Sequence, residues 1–290
     1  MQSDAARPVV RGKEVRAAVR RLGLAGQPLC VHASLRSFGW VEGGAAAVVE
    51  ALLDEGCTLI VPTFCWDAYA VDPLPHQQPA RNGASYVAAP RRRPGSDRVY
   101  TPAVQELDRA EMGAIAAAVL AMPGRARGNH PLCSFGAVGP ASGALVAGQA
   151  PLRVFAPLAA VAAAGGAVVL MGVGLSKMTL LHLAEQRAGR LMFRRWANGP
   201  DGRPMEVEVG GCSEGFPRLE PALGWLEWRE RVGGSVWRVY PAAETLDAAA
   251  VAIRAEPSIT HCRRPGCRCD DAVAGGPLLE VRDWHAWART

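Results

Sequence analysis

The chain has 290 residues, 49% of them hydrophobic and 20% charged, a composition that supports a sizeable core and excludes wholesale disorder. Its net charge of +5 is mild, and Arg91-Arg92-Arg93 is the single basic triplet, so the basic stripe with interleaved aromatics that nucleic-acid binding needs is missing. The first residues, Met1-Gln-Ser-Asp, lack the apolar core of a secretory signal, and the uncharged stretch from Ala156 to Gly174 is broken by Gly165-Gly166.

Residues 11–22 put Val15, Val19 and Leu22 on one face of an amphipathic helix that Gly23 ends. Residues 28–33 form a short apolar strand, 34–39 a polar turn, 43–53 an Ala/Val-rich helix and 58–62 a second strand. That order is a βαβ unit, which implies parallel strands. Residues 66–104 are rich in Pro, Gly and Arg without periodicity and read as a long functional loop or lid. A helix over 111–122, a largely helical 151–164, a buried strand over 167–172 and a helix over 178–188 follow. From about 190 to 240 the pattern turns to shorter polar strands. A helix near 245–255, a cysteine-rich segment and a tail with Trp284 and Trp287 complete the chain. The expectation is an α/β fold with a mixed, largely parallel central sheet, flanking helices and a smaller polar β-rich C-terminal part. One domain spans 1–290, with 190–290 as a β-rich subdomain carrying the cysteines. The location expected is cytoplasmic, without membrane or nucleic-acid partners, as a monomer or homodimer.

His182 and Glu185 stand three apart on the helix over 178–188, so they share a face, and a carboxylate there can fix the imidazole tautomer. They follow a buried strand, at the end of a parallel sheet where ligands bind. Taken alone, such a pair is more often a surface pair than a site. His130-Pro131 sits in a Gly/Arg-rich loop, and Ser34 and Ser37 lie in the turn after the first strand, where amides and hydroxyls can hold phosphate or an acyl carbonyl. The glycine patterns of dinucleotide and nucleoside triphosphate sites and the serine-hydrolase elbow are missing.

Eight cysteines are present, four of them (Cys30, Cys57, Cys65, Cys133) in apolar segments where a buried thiol is the default. Cys262, Cys267 and Cys269 are crowded on a loop with Pro and Gly between them and can converge on one zinc ion. Cys212 is the first choice for the fourth ligand and His261 the second. Such a zinc would be structural, because protein fills every ligand position.

Five runs in order resemble the aminoglycoside 3-N-acetyltransferase family, antibiotic N-acetyltransferases unrelated to the GNAT fold. They are Val31-His-Ala-Ser-Leu-Arg-Ser-Phe-Gly-Trp-Val-Glu-Gly-Gly44, Gly56-Cys-Thr-Leu-Ile-Val-Pro-Thr63, Met112-Gly113, Asn129-His-Pro-Leu-Cys-Ser-Phe135, and Met171-Gly-Val-Gly174 through Thr179-Leu-Leu-His-Leu-Ala-Glu185. The resemblance covers about residues 12–225 and implies acetyl-CoA as cosubstrate and an aminoglycoside amine as acceptor. It implies that CoA runs along Ser34, Leu35, Arg36, Ser37 and Phe38, with Thr101, His130 and Pro131 nearby. His182 would act as general base, with Glu185 orienting it or holding the amine. Trp66, Asp67, Thr179 and Glu214 would meet the acceptor, and Asp72 would add to a cleft rich in carboxylates. Cys65 and Cys133 are expected to be structural thiols rather than acyl carriers. The segment Arg127-Gly128-Asn129, the loop from Trp66 to Val99 and the C-terminal cysteines depart from the family pattern. Two other readings are an acetyltransferase of the same fold acting on another small-molecule amine, such as a biosynthetic intermediate or the 2′-amine of an unusual aminoglycoside, and a zinc-stabilised binding protein without catalysis.

Overall fold

The structure is a computed structural model that describes residues 9–74, 98–265, 267 and 269. The Arg91–Arg93 triplet, Asp97, much of the expected lid and the Trp284/Trp287 tail lie outside the described residues, as does the side chain of Asp67.

The elements in order are β1 (Val9–Val10), α1 (Gly12–Arg21), β2 (Pro28–Ala33), β3 (Trp40–Val41), α2 (Gly44–Asp54), β4 (Thr58–Pro62), α3 (Trp66–Tyr69), β5 (Ala70–Val71), α4 (Arg109–Ala121), β6 (Ala126–Arg127), β7 (Phe135–Val138), α5 (Ser142–Val146), α6 (Ala156–Ala163), β8 (Ala167–Met171), α7 (Leu180–Arg187), β9 (Phe193–Asn198), β10 (Pro204–Val209), α8 (Glu220–Leu223), β11 (Trp228–Val232), β12 (Ser235–Pro241) and α9 (Ala242–Ala255). The stretch over 151–155, read as helical, is a turn, and the helix starts at Ala156 with Pro157 in its first turn.

The main sheet has the order β11-β12-β8-β2-β4-β7-β6. Strand β2 pairs parallel with both β8 and β4, whereas β12, β11, β7 and β6 join antiparallel. β1 and β3 form a separate parallel pair, while within the main sheet parallel character is thus confined to the three central strands, less than the sequence suggested. The physical reason is connection length: β11–β12 and β6–β7 are linked too briefly for a crossover, so each pair must turn back on itself. The strands of the polar C-terminal stretch divide between two sheets. β10, β9 and β5 make a separate antiparallel sheet, while β11 and β12 extend the main one.

The central strands are apolar on both sides because helices cover both. Cys30, Ile60, Val168 and Leu170 point into one core with Leu158 of α6, Leu181 of α7 and Leu246 of α9. Their neighbours Leu29, Val31, Leu59, Val61 and Val169 point into the other, with Val19 of α1, Val48 of α2 and Val119 of α4. Among the described residues no helix is long and apolar enough to cross a membrane.

Candidate active site

The carboxyl ends of β2 and β4 open into a cleft of about 310 Å³, lined by His32, Ala33 and Pro62 and by Val173 and Lys177 beyond β8. This is where loops leave a parallel set of strands and a ligand can enter. Trp66, Thr179 and His182 line the same cleft. Helix α4 reaches it through Glu111, Met112, Ile115 and Ala116, on either side of a break at Gly113, whose φ of 80° interrupts the helix.

Helix α7 buries Leu180, Leu181 and Ala184, and the same burial carries His182 and Glu185 inward, to 8% and 3% exposure. His182 Nδ1 lies 2.8 Å from Glu185 Oε2. The other carboxylate oxygen, Oε1, accepts from Arg190 Nη1 at 2.6 Å and from Thr260 Oγ1 at 3.2 Å. Arg190 also donates to Thr260 Oγ1 at 2.7 Å and to the Pro257 carbonyl. Burial lowers the pKa of Arg190, opposed by its pairing with Glu185. Both oxygens of Glu185 are therefore committed within the protein. This arrangement suits Glu185 to orienting His182, the first of the two roles expected for it. Nδ1 faces the Glu185 carboxylate, and Nε2 lies on the side of Gly210, which lines the cleft together with His182.

The imidazole is fixed on both faces. Phe155 stacks at 5.7 Å with an interplanar angle of 14°, and Phe216 meets it edge-on at 4.7 Å. Gly210 presses on it so closely that an added Cβ would lie 2.8–3.0 Å from three ring atoms.

Several residues expected at the cofactor or acceptor are held elsewhere. Phe38 is fully buried and packs edge-on against Trp237 at 6.0 Å. The Ser37 hydroxyl is shared between the Ser34 carbonyl at 2.7 Å and Ser235 Oγ at 2.8 Å. The Ser34 amide donates to the Met171 carbonyl, Leu35 packs on the core of α1 and α2, and Arg36 is exposed. None of residues 34–38 lines the cleft, although Ala33 does. Thr101 is exposed, and its carbonyl accepts from the Val104 amide. His130 is fully buried, with Nε2 2.8 Å from the Glu208 carbonyl and Nδ1 accepting from the Cys133 amide at 2.9 Å. With both nitrogens used, it braces a loop and is not free for cofactor. Pro131 is buried beside it, its carbonyl accepting from the Cys65 thiol. Glu214 is exposed and paired with Arg264 at 2.8 Å, away from the cleft. Among the described residues Glu111 is the one carboxylate of the lining.

Burial pushes the Cys65 thiol up to about 11 and the Cys133 thiol well above its ordinary range, so neither is a ready nucleophile at neutral pH. Burial also pulls His32 and His130 down to about 4; the Lys177 charge adds to the effect at His32. A depressed histidine pKa means that the unfolded chain takes up the proton first. Stability is then full above the unfolded value near 6.5 and falls as the pH drops from there towards 4. A loss on the order of 2 kcal/mol per histidine is expected between about pH 7 and pH 5. Urea unfolding at the two pH values checks it; equal unfolding free energies would count against both assignments.

Reading the sequence missed Arg190 and Thr260, which complete the ring of contacts around Glu185, and Phe155, Phe216 and Gly210, which fix the imidazole. It also missed His32, Glu111 and Lys177 in the lining. A buried-looking arginine five residues beyond Glu185 was the one local signal.

A second cluster lies outside the cleft. The Sγ atoms of Cys212, Cys262, Cys267 and Cys269 all lie within 4.8 Å of one another, with Cys262 and Cys269 3.3 Å apart. Four thiolates about 2.3 Å from a tetrahedral zinc sit about 3.8 Å apart, so this spacing fits such an ion. The fourth member is Cys212, not His261.

Fold and site together define a mixed α/β protein that presents a carboxylate-oriented histidine at the end of parallel strands, the equipment of an enzyme that moves protons. Residues 30–254 match the family described as aminoglycoside 3-N-acetyltransferase, and the chain belongs to that family. It is 36% identical over 187 residues to aminoglycoside N(3)-acetyltransferase VIII of Streptomyces fradiae, a match that spans 62% of each chain. It is 32% identical over 236 residues, 79% of each chain, to the SPbeta prophage-derived aminoglycoside N(3')-acetyltransferase-like protein YokD of Bacillus subtilis (strain 168). The crystal structure of the aminoglycoside acetyltransferase AAC(3)-IVa apoenzyme superposes with a TM-score of 0.72 at 26% identity, covering 93% of this chain and 98% of that one.

Proposed function

We propose that this protein transfers the acetyl group of acetyl-CoA to an amino group of an aminoglycoside-type antibiotic. The observation that carries this is His182 in the lining of the cleft, its Nδ1 paired with the buried Glu185, in a chain of this family. An aliphatic amine is protonated at neutral pH and must be neutral to attack a thioester. The neutral form of the amine attacks: as its nitrogen bonds to the acetyl carbon, His182 takes the proton that the nitrogen sheds, the carbon–sulfur bond breaks, and the leaving sulfur takes a proton from His182 or solvent to depart as the CoA thiol. Glu111, with Trp66 and Thr179 beside it, is placed to receive an ammonium of the polycation. CoA would approach past Ala33, where Ser34, Leu35 and the exposed Arg36 continue the chain beyond β2. A thiol-release assay with acetyl-CoA against a panel of aminoglycosides and simpler amines tests the reading. Release with simpler amines alone would move the acceptor elsewhere. Tight antibiotic binding without any thiol release would favour a binding protein.

The four thiols would hold one structural zinc, with protein at all four positions. Reduced thiols in this number suit the cytoplasm. Purified protein is expected to carry about one equivalent; less than about half, without a rise after refolding with zinc, overturns the site.

A further inference from the structure

We propose that a metal in the four-cysteine site positions the catalytic histidine, so that its occupancy governs turnover without touching substrate. The inference rests on the zinc reading above and concerns what that ion holds together. Cys212 belongs to the loop 210–216, and Cys262 to the segment 257–262. These two stretches make most of the contacts that fix the His182–Glu185 pair.

The loop 210–216 supplies the ring's close neighbours. Gly210 lies against the imidazole, Gly211 and Ser213 line the cleft, and Phe216 meets the ring edge-on. The segment 257–262 supplies the carboxylate's neighbours. The Thr260 hydroxyl bonds Glu185 and Arg190, and the Pro257 carbonyl takes the far nitrogen of Arg190. The two stretches run in direct contact: a Cβ on Gly215 would lie 2.0 Å from the Thr260 carbonyl oxygen. Cys212 stands two residues from Gly210, and Cys262 two residues from Thr260. A metal bridging these thiols closes a clasp around His182 and Glu185, one jaw on the imidazole and the other on the carboxylate. Without it, the side-chain links at this seam include Arg218, just past the first jaw, which donates at 3.2 Å to the His261 carbonyl and at 3.3 Å to the Ser258 carbonyl, and the exposed Arg264, just past the second, which pairs with Glu214 at 2.8 Å. A base displaced by about an ångström loses much of its rate. Thr260 and Gly210 are thus positioning residues that act through Glu185 and His182.

The test uses the full chain, stripped of metal with a chelator under reducing conditions and then reloaded with zinc or cobalt. Cobalt–thiolate absorption reports the metal site. The imidazole ¹H–¹⁵N resonances of His182 report its position independently of any substrate. On stripping, these resonances should shift, and kcat should fall about tenfold or more with the KM for acetyl-CoA little changed. Zinc should restore both. Thr260→Ala should keep the metal yet reproduce part of the shift and of the kcat loss, whereas Thr260→Ser should restore them. Metal loss with unchanged His182 resonances overturns the coupling and leaves the acetyltransferase reading intact. Collapse of the whole amide spectrum on stripping would make the metal a general staple and overturn it too. Lack of cobalt–thiolate absorption removes the metal site and the coupling with it.

Discussion

His182→Ala is expected to lower kcat by at least about a hundredfold while acetyl-CoA binding survives. His182 lines the cleft, and Phe155, Phe216 and Gly210 pack against its ring. Its removal deletes the proton acceptor without disturbing the exposed surface beyond β2 along which CoA is proposed to lie. Steady-state thiol release gives kcat, and isothermal titration with CoA gives binding. Unchanged turnover would sink the assignment of His182 as base. A parallel loss of CoA affinity would place the cofactor against the ring instead.

Arg190→Leu should cost both stability and rate. Glu185 is 3% exposed and Arg190 also 3%, so the substitution leaves a carboxylate buried without its counter-charge. Breaking a buried pair from one side costs about 3–5 kcal/mol. Without Arg190 the carboxylate loses a contact that holds it facing Nδ1, so the orientation of His182 loosens and the rate falls with the stability. Urea unfolding and thiol release on the same sample measure the two effects. The double variant Arg190→Leu with Glu185→Leu removes both charges and should regain most of the stability but none of the rate. If the double variant is as unstable as the single one, shape rather than charge holds this corner of the fold.

The strands β2, β4 and β8 and helices α1, α2, α7 and α9 were legible because each carries its own signal: a short apolar run, or an apolar face at helical spacing. The pairing of His182 with Glu185 was legible for the same reason, since a helix places residues three apart on one face. The joins of β12 to β8, β7 to β4 and β5 to β9 were not, because these partners lie far apart in the chain and hydrophobic pattern does not name them. The role of His130 was misread because a histidine in a Gly/Arg-rich loop looks exposed; its burial follows from β10 passing close enough to offer the Glu208 carbonyl.

The sequence by itself determined the family resemblance, the shared helical face of His182 and Glu185 and the three crowded thiols, all of which depend on residue type at short spacing. Only the tertiary structure decided which groups complete them. Thr260 reaches Glu185 from 75 residues away, and Cys212 joins Cys262, Cys267 and Cys269 from a loop at least 50 residues earlier. Such contacts form when separate segments return to one corner of the core, and local periodicity records burial without recording what is met there. The same return brings Arg190 and Thr260 onto one oxygen of Glu185 while the other faces His182.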